Sequence, residues 1–311
     1  MKRLASVLVV AIVFLAGGGQ TAAPAAASSA TTMASTAALA TTTGPTLAQM
    51  VGQKLVVAME GLTPSADLLG RIRRGEVGGV ILFGSNISTR AALIALTGKL
   101  RAAAAAGGQP RLLIGVDQEG GSVKRIPWAP PTLSPPQMGR IGSTSTARYQ
   151  GSITGAALRG LGINADFAPV ADVPSSTSSF MYRQGRTWSF SSTTTAALSD
   201  AFAGGLWSQR VAPSMKHFPG IGRSPYNTDD VAVTFWSSAA TLASGLRPYR
   251  TAISHHIPMI MLSNGRYMAY DTVNAAGWSH AISVNLLRGQ LGFKGVTITD
   301  SLTGAAASRG V

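Results

Sequence analysis

Carboxylates are scarce enough in this sequence to be weighed one at a time, with 12 among 311 residues. Three close short apolar runs: Asp117 after LLIGV, Asp172 at the end of INADFAPVA, and Asp300 after VTIT. Glu119, Asp229 and Asp230 stand on loops beyond such runs, and Lys216-His217 follow a further run, VAPSM. Asp67, Glu76 and Asp200 lie in helical or connecting segments and read as solvated surface acids. Asp166 reads as a structural residue inside a strand, and Asp271 as an ordinary loop residue. Strand-end carboxylates with no thiol and only four histidines point to carbohydrate chemistry. There one carboxylate attacks or stabilises the anomeric carbon while a second acid protonates the leaving oxygen. Competing chemistries lack their parts. No G-x-S-x-G elbow is present for a serine hydrolase, and the histidines do not cluster with other ligands as a metal site requires. His255-His256 sit at a helix end without neighbouring carboxylates and read as a complement to the helix dipole. No cofactor and no metal are expected.

Such residues need a frame that brings strand ends together. From about residue 46, apolar runs suited to buried parallel strands recur at 55–59, 78–83, 112–116, 163–171, 211–215, 258–262 and 296–299. Helix-like segments at 89–106, 146–161, 193–210, 237–255 and 279–291 separate most of them. This alternation argues for a parallel sheet covered by helices. Neither a dinucleotide fingerprint nor a phosphate loop is present, so an open nucleotide-binding sheet is disfavoured. In an eight-stranded α/β barrel the chemistry gathers at the C-terminal ends of the strands. Five successive runs here end on polar groups, namely Asp117, Asp172, Lys216-His217, Ser263-Asn264 and Asp300. Only eleven residues follow Asp300, short of a further helix, strand and closing helix. The expected fold is therefore a (β/α)8 TIM-like barrel, truncated before its last strand, over residues 46–311.

The opening MKRLASVLVVAIVFLAGGG joins a basic start to an apolar run too short for the roughly 20 residues of a membrane span. With Ala25-Ala26-Ala27 as a small-residue cleavage site, residues 1–27 read as a secretory signal peptide, and residues 28–45 as an Ala/Ser/Thr-rich linker. Absence of cysteine removes disulfides and a lipid-modified N-terminus. The expectation is an exported protein with no stable membrane anchor. Formal charge is +14, and losing Lys2 and Arg3 with the signal takes two from it. The basic residues are scattered without interleaved aromatics, so nucleic acid is not the expected partner. Electrostatic association with anionic cell-wall polymers is.

Four segments in order carry a resemblance: GVDQEGGSVKRI (115–126), INADFAPVADV (163–173), KHFPGIG (216–222) and GFKGVTITDSL (292–302). Together they resemble glycoside hydrolase family 3, in its bacterial β-N-acetylhexosaminidase branch, over roughly residues 46–306. The resemblance implies a retaining hydrolase that removes terminal β-linked N-acetylglucosamine, often from peptidoglycan fragments. It implies Asp300 as nucleophile, Asp117 gripping sugar hydroxyls, and Arg125, Arg186, Lys216 and His217 binding the N-acetylated sugar.

In that branch a mobile loop after K-H-F-P-G carries D-S-H, whose histidine is the acid/base. Asn227-Thr228-Asp229 fall on those positions here, so Asp229 stands in the place of the histidine. A carboxylic acid needs no partner to fix a tautomer. It needs a raised pKa, which desolvation and a nearby charged nucleophile supply. Asp229 is thus the expected acid/base, with Asp230 as a neighbour able to contribute, and Gly220 and Gly222 as hinges of a lid. The departure leaves two other readings open: a family 3 β-glycosidase of other sugar specificity, such as a β-glucosidase, and a non-catalytic glycan-binding barrel.

Overall fold

A computed structural model of the chain describes residues 44–303. The expected signal peptide and all but the last two residues of the expected linker lie outside the described residues. Seven parallel strands form one sheet: β1 (Val56–Ala58), β2 (Gly79–Leu82), β3 (Leu113–Val116), β4 (Ala165–Asp166), β5 (Ala212–Phe218), β6 (Met259–Leu262) and β7 (Val296–Thr299). Their order in the sheet is their order in the chain. An open nucleotide-binding sheet reverses direction at a switch point; this sheet does not. It curls as the wall of a TIM-like barrel, with β1 paired only to β2 and β7 only to β6 among the described residues.

Six crossover helices join successive strands: α1 (Ala66–Arg74), α2 (Arg90–Ala106), α3 (Thr144–Gly160), α4 (Ser192–Ser208), α5 (Arg247–Ser254) and α6 (Ala281–Gln290), the last with π-type hydrogen bonding. Helix α1 has no counterpart in the apolar pattern, and its ends explain it. Ser65 Oγ accepts from Leu68 N at 3.1 Å. Asp67 lies in the first turn and Arg71, Arg73 and Arg74 in the last, and Gly75 ends the helix at φ 79°. Caps and dipole-matched charges stabilise so short a helix. The expected helix over 237–255 is instead interrupted, with Ala239–Leu242 and a 3-10 turn at Ala243–Leu246 preceding α5.

Alternate residues of the strands meet inside the wall. Ala165, Phe167, Met259 and Met261 are buried there, with Val56, Ile81, Leu113, Ala212 and Ile298 packed against them. Period-2 alternation sends the intervening residues, such as Val80, Ile114 and Ile260, outward under the helices. Helices α3 and α4 touch backbone to backbone: a Cβ on Gly151 would lie 2.1 Å from the Phe202 carbonyl oxygen, and one on Gly205 2.2 Å from that of Arg148. Side by side, α4 and the end of α5 bring His255 Nδ1 within 2.8 Å of Asp200 Oδ2. This corrects the sequence reading, which left the histidine pair without a neighbouring carboxylate and Asp200 simply solvated.

Candidate active site

The C-terminal rim of the sheet is built around buried charge. Strand β3 hands the chain to Asp117, and a tight hairpin pairs Gln118–Gly120 with Val123–Lys124. Gly120 and Gly121 turn it at φ 93° and 63°, which glycine tolerates without a Cβ clash. Gln118 staples the loop that follows: its Nε2 donates to the carbonyls of Ile126 and Pro130, and its Oε1 accepts from Ile126 N. Its own N–H donates to Asp166 Oδ1 at 2.9 Å. Burial pushes the Asp166 carboxyl up to about 8, against that hydrogen bond and the Lys216 charge. Buried and bonded to the hairpin backbone, Asp166 plays the structural part expected of it.

Strand β5 runs past the expected end at Met215 and carries Lys216, His217 and Phe218 into the ladder. Buried Lys216 places Nζ 2.6 Å from Asp117 Oδ1 and 2.7 Å from Glu119 Oε1. Arg186 forks onto Glu119, with Nε 2.8 Å from Oε2 and Nη2 2.7 Å from Oε1. Burial alone raises the Glu119 carboxyl, but Lys216 and Arg186 outweigh it and hold it at about 2. Burial likewise opposes the charged form of Lys216, and Asp117 and Glu119 outweigh it, so the ammonium titrates above its ordinary range. Arg125 completes this side, with Nε 3.9 Å from Asp117 Oδ2 and its guanidinium over the Phe83 ring.

His217 Nδ1 lies 2.7 Å from Asp172 Oδ2. A carboxylate only accepts, so Nδ1 carries the hydrogen and Nε2 is left for another partner. The other oxygen of Asp172 accepts from Ile221 N at 2.6 Å. Asp172 therefore ties His217 to the first turn of the loop that follows β5.

That loop delivers Asp229 and turns Asp230 to a different task. Asn227 Nδ2 donates to Asp230 Oδ2 at 3.0 Å, while Asp229 Oδ1 accepts from Asn264 Nδ2 at 3.1 Å. Asp229 is exposed as a residue, yet its carboxyl is held at the rim. Desolvation there and the charge of Asp300 raise its pKa, against His217, the Asn264 hydrogen bond and Arg186. Asp300 itself closes β7, its N–H donating to Leu262 O at 2.9 Å and its Oδ1 accepting from Ser301 N at 2.8 Å.

The structure thus gathers Asp117, Arg125, Arg186, Lys216, His217, Asp229 and Asp300 on one rim. Arg186 spends its fork on Glu119 and acts there as a partner of the acidic cluster. Sequence reasoning assigned nothing to Glu119 beyond a loop position, nor to Asn264, although Ser263-Asn264 stood out as a polar strand end. Among the described residues, no group of three or more His, Cys, Asp or Glu side chains is placed to hold a metal ion.

The profile of the Glycosyl hydrolase family 3 N terminal domain matches residues 46–310. A protein of Arthroderma benhamiae named uncharacterized secreted glycosyl hydrolase is 34% identical over 267 residues, which cover 82% of this chain and 74% of that protein. Beta-hexosaminidase A of Pseudoalteromonas piscicida is 32% identical, over 85% of this chain and 50% of its own length. Among solved structures, a family 3 β-N-acetylglucosaminidase from Paenibacillus sp. FPU-7 superposes with a TM-score of 0.81 at 30% identity, over 85% of this chain and 51% of its own. A β-N-acetylhexosaminidase from Beutenbergia cavernae gives 0.78 at 31% identity, over 86% of this chain and 81% of its own. The chain spans about half the length of two of these four proteins and roughly three quarters or more of the others. An in-order parallel barrel wall, a charged rim at its strand ends and a family profile covering nearly all described residues agree: the chain belongs to glycosyl hydrolase family 3.

Proposed function

We propose that this protein is a retaining β-N-acetylhexosaminidase that removes terminal β-linked N-acetylglucosamine, with Asp300 as nucleophile and Asp229 as acid/base. The observation that carries this reading is that Asn264 bonds both the Asp229 carboxyl and the Ser301 carbonyl beside Asp300, where desolvation and the Asp300 charge raise the Asp229 pKa. While Asp300 is charged it favours protonated Asp229, the form that donates to the glycosidic oxygen. Once Asp300 is esterified by the sugar its charge is gone, the Asp229 pKa falls, and the same group becomes the base that activates water. Asp117, Arg125, Arg186, Lys216 and His217 hold the terminal sugar, and Arg186 also fixes Glu119 against Lys216.

Asn264, which bonds the Asp229 carboxyl, also lines a cavity suited to the leaving group. This cavity of about 240 Å³ is lined by Thr234, Asn264, Arg266, Asn274 and Trp278, among others. It shares no residue with the Lys216 cluster, as the leaving-group side of an acid should not. Polar groups on Thr234, Asn264, Arg266 and Asn274 set among aliphatic residues, with the Trp278 ring, suit a sugar. Cell-wall glycans or peptidoglycan fragments are the proposed substrates, acted on outside the cytoplasm. The +12 that remains of the formal +14 after Lys2 and Arg3 leave with the signal supports attraction to anionic wall polymers. No helix among the described residues is long and apolar enough to cross a membrane.

The test is hydrolysis of a panel of aryl β-glycosides by the full-length, signal-free protein. Cleavage of the N-acetylglucosaminide alone supports the proposal. Cleavage of another sugar replaces it with a different family 3 glycosidase, and no cleavage with a glycan-binding barrel.

A further inference from the structure

We propose that Asn264 is a positioning residue that clamps the lid acid to the nucleophile segment and fixes its transferable proton on Asp229 Oδ2. The inference rests on the reading of Asp229 as acid/base and adds a residue to it.

The side chain of Asn264 is buried at the end of β6. Its Nδ2 donates to Asp229 Oδ1 at 3.1 Å and to the Ser301 carbonyl oxygen at 3.1 Å. The Ser301 carbonyl can only accept, so the amide must present its NH2 end to it; the reverse orientation would set two acceptors face to face. Both amide hydrogens are then used, one on the loop and one on the segment that carries Asp300. Ser301 in turn donates its N–H to Asp300 Oδ1 at 2.8 Å. A single carboxamide thus connects the two carboxyls through hydrogen bonds.

The chemistry of the donor sets the position of the proton. The carbonyl oxygen of a carboxylic acid is its stronger acceptor, so the amide hydrogen selects the form of protonated Asp229 in which the oxygen facing it is the carbonyl. That oxygen is Oδ1, which leaves the acidic hydrogen on Oδ2. The clamp rests on a firm base: Ser263 Oγ is bonded to the buried Tyr267 hydroxyl at 3.0 Å, and that hydroxyl donates to Gly220 O at 3.0 Å. The turn after β6 is therefore tied to the hinge of the loop it clamps.

The test compares Asn264→Ala and the equally shaped Asn264→Asp with the parent chain, with thermal unfolding as the check on folding. For Asn264→Ala, kcat/KM on an N-acetylglucosamine disaccharide should fall about 10- to 100-fold, as for a misplaced catalytic group. It should fall much less on an activated aryl glycoside, which needs little protonation. The lost hydrogen bond favoured the charged carboxyl, so the alkaline limb of the pH profile should move to higher pH. Asn264→Asp, with acceptors facing acceptors, should lower the disaccharide rate at least as far. Disaccharide rates within twofold of the parent and an unmoved limb would overturn the clamp. If Asp229→Ala leaves the disaccharide rate intact, the acid assignment fails instead. A 13C NMR titration of the Asp229 carboxyl decides the clamp without reference to turnover: its pKa should rise in Asn264→Ala, and an unchanged value refutes the inference.

Discussion

Replacing Glu119 by glutamine removes one charge from the most buried ionic cluster of the rim and keeps its shape. Glu119 is 2% exposed, and it meets Lys216 at 2.7 Å and Arg186 through two hydrogen bonds. Its carboxyl titrates at about 2 against an ordinary 4.5, and at about 1.4 kcal/mol per pH unit that difference corresponds to roughly 3 kcal/mol of stability. Breaking a buried pair by removing one partner costs about 3–5 kcal/mol in general, so the two routes agree in order of magnitude. Because the folded-state pKa is depressed, this stability is complete above the unfolded-state pKa near 4.5. It is lost as pH falls through the folded value of about 2. Urea unfolding of both proteins at neutral pH should show a lower midpoint for Glu119→Gln, by about 3 kcal/mol after multiplication by the slope. Repeated at descending pH, the two stabilities should converge between about pH 4.5 and 2. A neutral-pH difference below about 1 kcal/mol, or one that persists unchanged in acid, would refute the view that Lys216 and Arg186 hold Glu119 charged.

Two further outcomes follow from the loop. A Cβ on Gly222 would lie 2.1 Å from the Val173 carbonyl oxygen, so Gly222→Ala must shift the loop base beside Asp172. Its disaccharide kcat/KM should drop by about tenfold or more, and limited proteolysis should cut residues 223–233 faster; unchanged kinetics would mean the loop position is immaterial. Asp229→Ala should depress turnover of substrates with poor leaving groups about 100-fold or more, and azide should restore the second step as a glycosyl azide. Asp230→Ala, whose native carboxylate pairs with Asn227, should do much less, and equal loss in both variants would dissolve the distinction.

Apolar runs made the strands legible, and with them the rim: Asp117, Lys216 and Asp300 were found because each follows such a run. The short helix α1 escapes notice because its apolar stripe, Leu68, Leu69 and Ile72, is too brief for periodicity to register, and its caps fix its ends. Strand β5 was cut short at Met215 because Lys216 and His217 look like loop residues until Asp117, Glu119 and Asp172 neutralise them in place. Partnerships across the sheet were illegible in principle. Glu119 meets Arg186 from 67 residues away, and Asn264 meets Asp229 from 35. Periodicity reports which face of an element is buried, and carries no record of which side chain on another element it meets. Family resemblance located Asp229 by alignment on the lost histidine, but the separation of Asp229 from Asp230 required the loop's own hydrogen bonds.

The central claim, a retaining mechanism through Asp300, is tested most directly by trapping the intermediate. The full-length, signal-free protein is incubated with a 5-fluoro N-acetylglucosaminyl fluoride, digested, and its peptides are weighed by mass spectrometry. The account predicts one added sugar on the peptide that contains Asp300, with the label lost in Asp300→Asn. A sugar attached to a peptide bearing another carboxylate, or turnover without any trapped species and with inversion at the anomeric carbon, would contradict it.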